Sequence, residues 1–307
     1  MINFYKTSDD GLVEIDDIDN GCWVSVIAPT PEEIEHIIDD FGLDAGFVRS
    51  SLDEEESSRI ESEDNQTLII VDYAVAENDS RNAISYYTMP MGIILTPSCV
   101  FTISLRDNII IREMYGGQIR NLRTQLKTQF LLTILLRIAM KFLAYLKQID
   151  KLTNLTEKQM QRSMKNKELI QMLDLQKSLV YFSTSLKSNE VTLEKILRGR
   201  IIKLYEDDQD LLEDVLTEIK QAIEMAGIYT SILSGMTDTF ASVISNNLNI
   251  VMKRLTIITI LMAIPTIVFS FYGMNVTGLP VPTSWFAVAI SIVATVATWL
   301  ILRKAEK

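Results

Sequence analysis

A single histidine, His36, and only two cysteines, Cys22 and Cys99, leave this 307-residue chain little for imidazole or thiolate chemistry. With no close cysteine pair along the sequence, a dedicated zinc site is poorly supported. No G-x-S-x-G elbow and no H-E-x-x-H helix occurs, and one histidine supplies little acid–base work, so a membrane-anchored enzyme is strongly disfavoured. A G-x-x-x-x-G-K-[ST] loop for ATP is also missing. The most consequential absence is one of charge: from Leu255 to Leu302, 48 residues pass without an ionisable aspartate, glutamate, lysine or arginine.

That run is long enough for two membrane crossings, because about 20 apolar residues rising roughly 1.5 Å each span a hydrocarbon core of about 30 Å. Leu255 to Tyr272 and Trp285 to Leu302 supply 18 residues each, and the 12 residues from Gly273 to Ser284 must turn at the far surface. Lys253 and Arg254 precede the first span, and Arg303, Lys304 and Lys307 follow the second, which places both termini in the cytoplasm. The start, Met1-Ile2-Asn3-Phe4, has no basic segment followed by an apolar one, so no signal peptide is expected. Cys22 and Cys99 then fall in the cytoplasmic part and are expected as reduced thiols.

The net charge of −11 is unevenly spread: residues 1–120 hold 24 acidic and 7 basic side chains (−17), leaving +6 for the rest. So acidic a head argues against a nucleic-acid partner. It reads either as a solvated surface or as a store of carboxylates that attract cations.

Within the head, alternating apolar segments predict strands around Cys22 to Ile27, Thr67 to Val75, Met91 to Leu95 and Val100 to Leu105, the last two turned by Thr96-Pro97-Ser98. Thr30-Pro31-Glu32-Glu33 places a cap, a first-turn proline and a glutamate three residues on, opening a helix through Ile34, Ile37 and Ile38. An α/β head results. From Ile119 to Tyr205 the chain lacks proline and has only Gly199, which predicts two long helices broken near Lys151 to Thr156. The acidic cluster from Glu206 to Asp210 then opens a third.

This third helix carries two apolar tracks at steps of seven: Leu212, Ile219, Ala226, Leu233 and Phe240, and Val215, Ala222, Tyr229, Met236 and Val243. The seam needs other helices, either from the two preceding it or from other copies. With no break before Pro265, the helix is expected to run on through Lys253 into the membrane for about 60 residues, on the order of 90 Å. A second stripe, Asp238, Ser242, Ser245, Asn249, Met252, Thr256, Thr259, Ala263, Thr266 and Ser270, is small and polar. Such a face either mediates close helix packing or lines a water-filled path among several copies.

Gly273-Met274-Asn275, preceded by Tyr272 at the end of the first of two C-terminal spans, resembles the CorA family of magnesium transport proteins. Tyr181 to Leu186 and Asn249 to Lys253 also look like that family. The resemblance implies a funnel-shaped homopentamer in a bacterial or archaeal plasma membrane, with the first spans lining one pore. Its parts would be a cytoplasmic α/β domain (1–118), a long-helix region including the stalk (119–254), two transmembrane helices (255–302, outer loop 273–284) and a basic tail (303–307). Gly273, Met274 and Asn275 would form the selectivity filter, with five Asn275 amides at the outer mouth. Asn249, Met252, Leu255, Thr256, Thr259 and Thr266 would line the pore; Asn249 resembles its inner polar ring, and Met252 with Leu255 its hydrophobic constriction.

Magnesium would be both cargo and regulator, with cobalt and nickel as further candidates. Asp238 resembles a stalk carboxylate that binds regulatory magnesium together with an acidic head residue of a neighbouring subunit. Alignment of Leu68-Ile69-Ile70-Val71 makes that second residue Glu77; a small shift would make it Asp79. Family members commonly carry an acidic residue in the outer loop, whereas Val276 to Ser284 has none here. Two alternatives stay open: transport of zinc or another divalent metal, and a non-transporting membrane scaffold.

Overall fold

The computed structural model describes residues 1–8, 11–78, 84–117, 119, 122–162, 166–199, 201–275, 280–281 and 283–305. They form two compact units, Met1–Met236 and Thr237–Lys307.

The first unit is an α/β assembly on a seven-stranded sheet. Its strands are β1 (Ile2–Ser8), β2 (Gly11–Ile15), β3 (Trp23–Ile27), β4 (Arg59–Glu63), β5 (Gln66–Asn78), β6 (Ile84–Leu95) and β7 (Val100–Ser104), in the spatial order β2-β1-β3-β7-β6-β5-β4. Among the described residues only β3 and β7 run parallel, and every other neighbouring pair is antiparallel. The four predicted strands are β3, β5, β6 and β7, most of whose apolar residues are buried. The other three escaped the sequence reading because they lie at or next to the sheet edges and are largely part-exposed, so alternation carried little signal. The β4–β5 hairpin turns through Asp64 and Asn65, both at positive φ (45° and 63°), the geometry that a two-residue hairpin requires.

Helix α1 (Pro31–Asp39) starts as expected: Thr30 Oγ1 accepts from the Glu33 amide (3.2 Å), and Glu33 Oε2 accepts from the Thr30 amide (2.9 Å). Ile37 enters a core with Val24, Phe47, Ile70 and Phe101. Helix α2 (Ala45–Ser50) approaches β6 so closely that a Cβ on Gly92 would lie 1.9 Å from the Ser51 hydroxyl, which only glycine permits. A short α3 (Ile109–Tyr115) leads to α4 (Lys127–Arg162) and α5 (Asn166–Leu197).

The helix break expected near Lys151 to Thr156 is not there: α4 runs through it. Thr153 and Thr156 are buried, and the Thr156 hydroxyl donates to the Leu152 carbonyl (2.9 Å), so packing and back-bonding absorb the β-branched residues that lower helix propensity. By length and apolarity α4 could itself cross a membrane, but 56% of its most apolar window is buried within the chain. Phe130 meets Trp23 (ring centroids 5.4 Å apart) and Phe142 meets Phe182 of α5 (5.0 Å), so this apolarity serves the head core.

Helix α6 (Glu206–Tyr272) is one element of 67 residues that passes through Pro265. Within the first unit, Leu212, Val215, Ile219, Ala222, Ala226 and Leu233 are buried and Ser234 accepts from Gln176 of α5 (3.1 Å). That part of the seam is therefore satisfied inside one chain. The second unit contains the rest of α6 and α7 (Ser284–Ala305). The Tyr272 ring stands edge-on to Phe286 (6.4 Å), its hydroxyl donates to the Pro280 carbonyl (3.1 Å), and Arg303 lies 5.1 Å from the Trp299 ring centroid.

Candidate functional site

The end of α6 brings the first candidate residues together. Gly273 N–H donates to the Phe269 carbonyl (2.9 Å) and Met274 N–H to that of Phe271 (3.4 Å), closing the last turn. A Cβ on Gly273 would stand 3.1 Å from the Phe269 oxygen, tighter than ordinary contact, so a side chain there would disturb the bond that ends the helix. Met274 and Asn275 follow, both exposed. Of the outer loop, residues 276–279 and 282 lie outside the described residues, as does Asp79.

Below the motif, Asn249, Met252, Leu255, Thr256, Thr259 and Thr266 are all exposed along α6. The rest of the small polar stripe from Asp238 to Ser270 is exposed as well. None of the most apolar window of α6 and 11% of that of α7 is buried within the chain, so α7 does not cover this stripe. The hydroxyls of Thr256, Thr259 and Thr266 donate to the carbonyls of Met252 (2.9 Å), Leu255 (2.9 Å) and Met262 (3.1 Å). A hydroxyl whose proton is committed to the helix presents acceptor lone pairs outward. Such a surface matches the outward-pointing hydrogens of water bound to a cation, and Mg2+ sheds its waters reluctantly.

In the head, Glu77 stands near the end of β5, whose register places Val75 opposite Tyr87 of β6. Tyr87 Oη donates to Glu77 Oε2 (2.7 Å), and Arg106 Nη1 lies 3.8 Å from the same oxygen. Burial, and secondarily the hydrogen bond to Glu77, hold the Tyr87 phenol above its ordinary pKa, so it remains a donor at neutral pH. Asp238 is exposed on α6, in the other unit. Sequence reasoning missed Tyr87 and Arg106 because β6 registers with β5 across a connection whose length says nothing of pairing; the detectable signal was the alternation of Tyr87 with Met89 and Met91.

The fold brings the two cysteines together. Although 77 positions apart, Cys22 and Cys99 meet where β3 runs beside β7, with Cys22 Sγ donating to Cys99 Sγ at 3.1 Å. Both are free and buried, and that hydrogen bond together with burial pushes the Cys22 thiol up. Among the described residues no three His, Cys, Asp or Glu side chains gather as a metal-binding group within the chain.

The sequence profile of the CorA-like Mg2+ transporter protein family matches residues 19–304. The chain belongs to that family. Among its relatives, the cobalt/magnesium transport protein CorA of Methanocaldococcus jannaschii is 25% identical over 291 residues, covering 92% of this chain and 90% of that one. CorA of Thermotoga maritima is 22% identical over 317 residues, covering 97% and 86%. The complete structure of the CorA magnesium transporter from M. jannaschii superposes with a TM-score of 0.82 at 22% identity, over 99% of this chain and 96% of that one. The full-length CmaX protein gives 0.73 at 15% identity (100% and 97%), and the ZntB cytoplasmic domain from Vibrio parahaemolyticus 0.60 at 14% (80% and 97%). This CorA-family protein is a membrane-embedded divalent cation transporter, with an α/β domain and long helices.

Proposed function

We propose that this CorA-family protein is a magnesium channel for potential-driven uptake, built as a homopentamer around the polar face of α6. The observation that carries this reading is the uncovered stripe from Asp238 to Ser270, which runs up to Gly273-Met274-Asn275 with its threonine protons turned inward. In a two-helix scaffold that face would be wasted; around an axis it becomes a lining of acceptors. Residues 255–302 form the membrane part with outer loop 273–284, residues 1–118 and 119–254 stay in the cytoplasm with the tail 303–307, and five Asn275 amides receive the hydrated ion. Met252 and Leu255 narrow the inner end, where apolar rings stop ions by dewetting, and Asn249 forms the polar ring beside them.

A divalent cation moving inward gains about 4.6 kcal/mol per 100 mV, twice the single-charge value, so no nucleotide is required. Closure follows from cytoplasmic Mg2+ bridging Glu77 of one subunit and Asp238 of the next; at low Mg2+ the bridge is lost and the subunits separate. Arg106 and Tyr87 beside Glu77 temper the repulsion and set how much Mg2+ the bridge needs. Cobalt and nickel are further cargo. The names of relatives support magnesium and cobalt, and the likeness to a ZntB domain keeps zinc as the second reading.

The test is uptake of Mg2+, Co2+, Ni2+ and Zn2+ into vesicles containing only this protein, with an imposed inside-negative potential. Mg2+ uptake that grows with the potential is expected, and Asn275→Ala should abolish or severely reduce it while assembly persists. Normal uptake by a correctly inserted Asn275→Ala protein would remove the filter assignment.

A further inference from the structure

The only two thiols of the chain, Cys22 and Cys99, each stand one residue before a strand, β3 and β7. The register that pairs Trp23 with Val100 sets them side by side, and their sulfurs lie 3.1 Å apart. Neighbouring strands run about 4.7–4.9 Å apart, inside the usual Cα separation of about 4.4–6.8 Å for a disulfide, so side-chain rotation can close an S–S bond here. Among the described residues β3–β7 is also the one parallel junction, and it joins two antiparallel halves, β2-β1-β3 and β7-β6-β5-β4. Parallel pairing is slightly the less stable kind, so a covalent bond at this point staples the weaker seam of the sheet.

The two sulfurs are not equivalent. Cys22 donates to Cys99, and this hydrogen bond, working against burial, holds the Cys99 thiol below its ordinary pKa, helped by Ser98 and by the charge of Lys127. The Lys127 ammonium donates to the carbonyls of Thr96 (2.8 Å) and Pro97 (2.6 Å), in the turn that leads into Cys99. Thiolate is the reactive form, so Cys99 is the nucleophile and Cys22 the thiol that resolves it. Both sulfurs are buried, yet the residues leading into them, Asp19 and Asn20 on one side and Pro97 and Ser98 on the other, are exposed. These segments are tied by the Gly21 N–H to the Ser98 carbonyl (2.8 Å) and by Cys99 Sγ to the Asp19 carbonyl (3.2 Å). An oxidant close to water in size reaches the pair when that tie opens, exposed loops being the part of a fold that opens most readily.

We propose that Cys22 and Cys99 form a reversible disulfide that clamps β3 to β7 when the head meets a hydroperoxide. The Cys99 sulfur attacks one peroxide oxygen: an S–O bond forms as O–O breaks, and hydroxide leaves and takes up a proton. The Cys22 sulfur then attacks the sulfenic sulfur; S–S forms, S–O breaks, and water leaves with the Cys22 proton. The two thiols lose two electrons in all, hydrogen peroxide becomes two waters, and a dithiol reverses the bond by exchange. Bridging residues 77 positions apart also removes freedom from the unfolded chain, which adds to the clamp. The device lies wholly in the first unit and is independent of the transport reading, since it is measured without Mg2+ and without flux.

The experiment exposes the full-length, detergent-solubilised, pre-reduced protein to hydrogen peroxide, then unfolds it and labels the remaining thiols with N-ethylmaleimide for intact-mass measurement. Both thiols should be lost together, with a mass lower by two hydrogens and no link between chains, and dithiothreitol should restore both. Oxidised protein should unfold at higher urea than reduced protein, and trypsin should cut the segment before Ile27 more slowly. Cys22→Ser keeps a hydrogen-bond donor and should stop at a sulfenic acid on Cys99 that dimedone captures; Cys99→Ser should slow oxidation of Cys22 about tenfold or more. The proposal falls if both thiols still take the label after peroxide that fully oxidises free cysteine. It falls equally if the product is a bridge between chains or an over-oxidised single cysteine, or if oxidised and reduced protein unfold at the same urea concentration.

Discussion

Asn189 of α5 is 2% exposed, and its carboxamide joins the helix to the sheet. Its Oδ1 accepts from the Asp72 amide (2.9 Å) and the Ser58 hydroxyl (2.7 Å), and its Nδ2 donates to the Asp72 carbonyl (2.8 Å). These are the two backbone bonds that a neighbouring strand would make, supplied by a side chain where β4 has ended at Arg59, opposite Ile70. Asn189→Leu keeps the number and branching of the side-chain heavy atoms but orphans one amide and one carbonyl, each costing about 1–3 kcal/mol. Asp72 retains some exposure, so water relieves part of this and the expected loss is about 2–3 kcal/mol. Asn189→Asp, which sets a second carboxylate beside that of Asp72, should cost more at pH 7 than at pH 5. The assay is urea unfolding followed by Trp23, buried in the head, in a background with Trp285 and Trp299 replaced by phenylalanine. An Asn189→Leu midpoint equal to that of the parent, at unchanged slope, would refute the claim that this amide replaces a strand.

Burial raises the Asp72 carboxyl pKa, partly offset by a hydrogen bond with Ser185. Its raised folded-state value means the folded head holds the proton more tightly, so stability declines as pH rises from the unfolded value, about 4, through the folded one. Asp72→Asn should flatten that decline in melting temperature between pH 4 and neutrality, and an unchanged slope would contradict it. Asp238→Ala, alone or with Glu77→Ala, should shift protease protection of the head by Mg2+ to higher concentration; an unmoved curve would show that these residues are not the sensor. Val281 has φ +43°, already strained for a β-branched residue, so Val281→Glu costs little in backbone terms. It should raise uptake at low Mg2+ most clearly in dilute buffer, and an equal effect at high salt would exclude electrostatic recruitment.

The unbroken apolar run and Gly273-Met274-Asn275 carried the membrane placement and the family in the sequence itself. Such features are legible because they are local: a span is defined by length and lack of charge, and a helix start by neighbours three residues apart. The Thr30 box and the Glu206 helix start belong to the same class. What the tertiary structure decided depends on partners far away in the chain. The apolarity of α4 resembles that of a membrane span until Trp23 and Phe182 are seen against it. Cys22 meets Cys99 only because β3 and β7 run parallel, and Glu77 gains Tyr87 through the β5–β6 register and Arg106 through the pairing of β6 with β7. The unmade Tyr73 bond is likewise invisible in one dimension: a strand tyrosine reads as core, and only the packing around it shows that its hydroxyl is buried with no hydrogen-bond partner among the described residues.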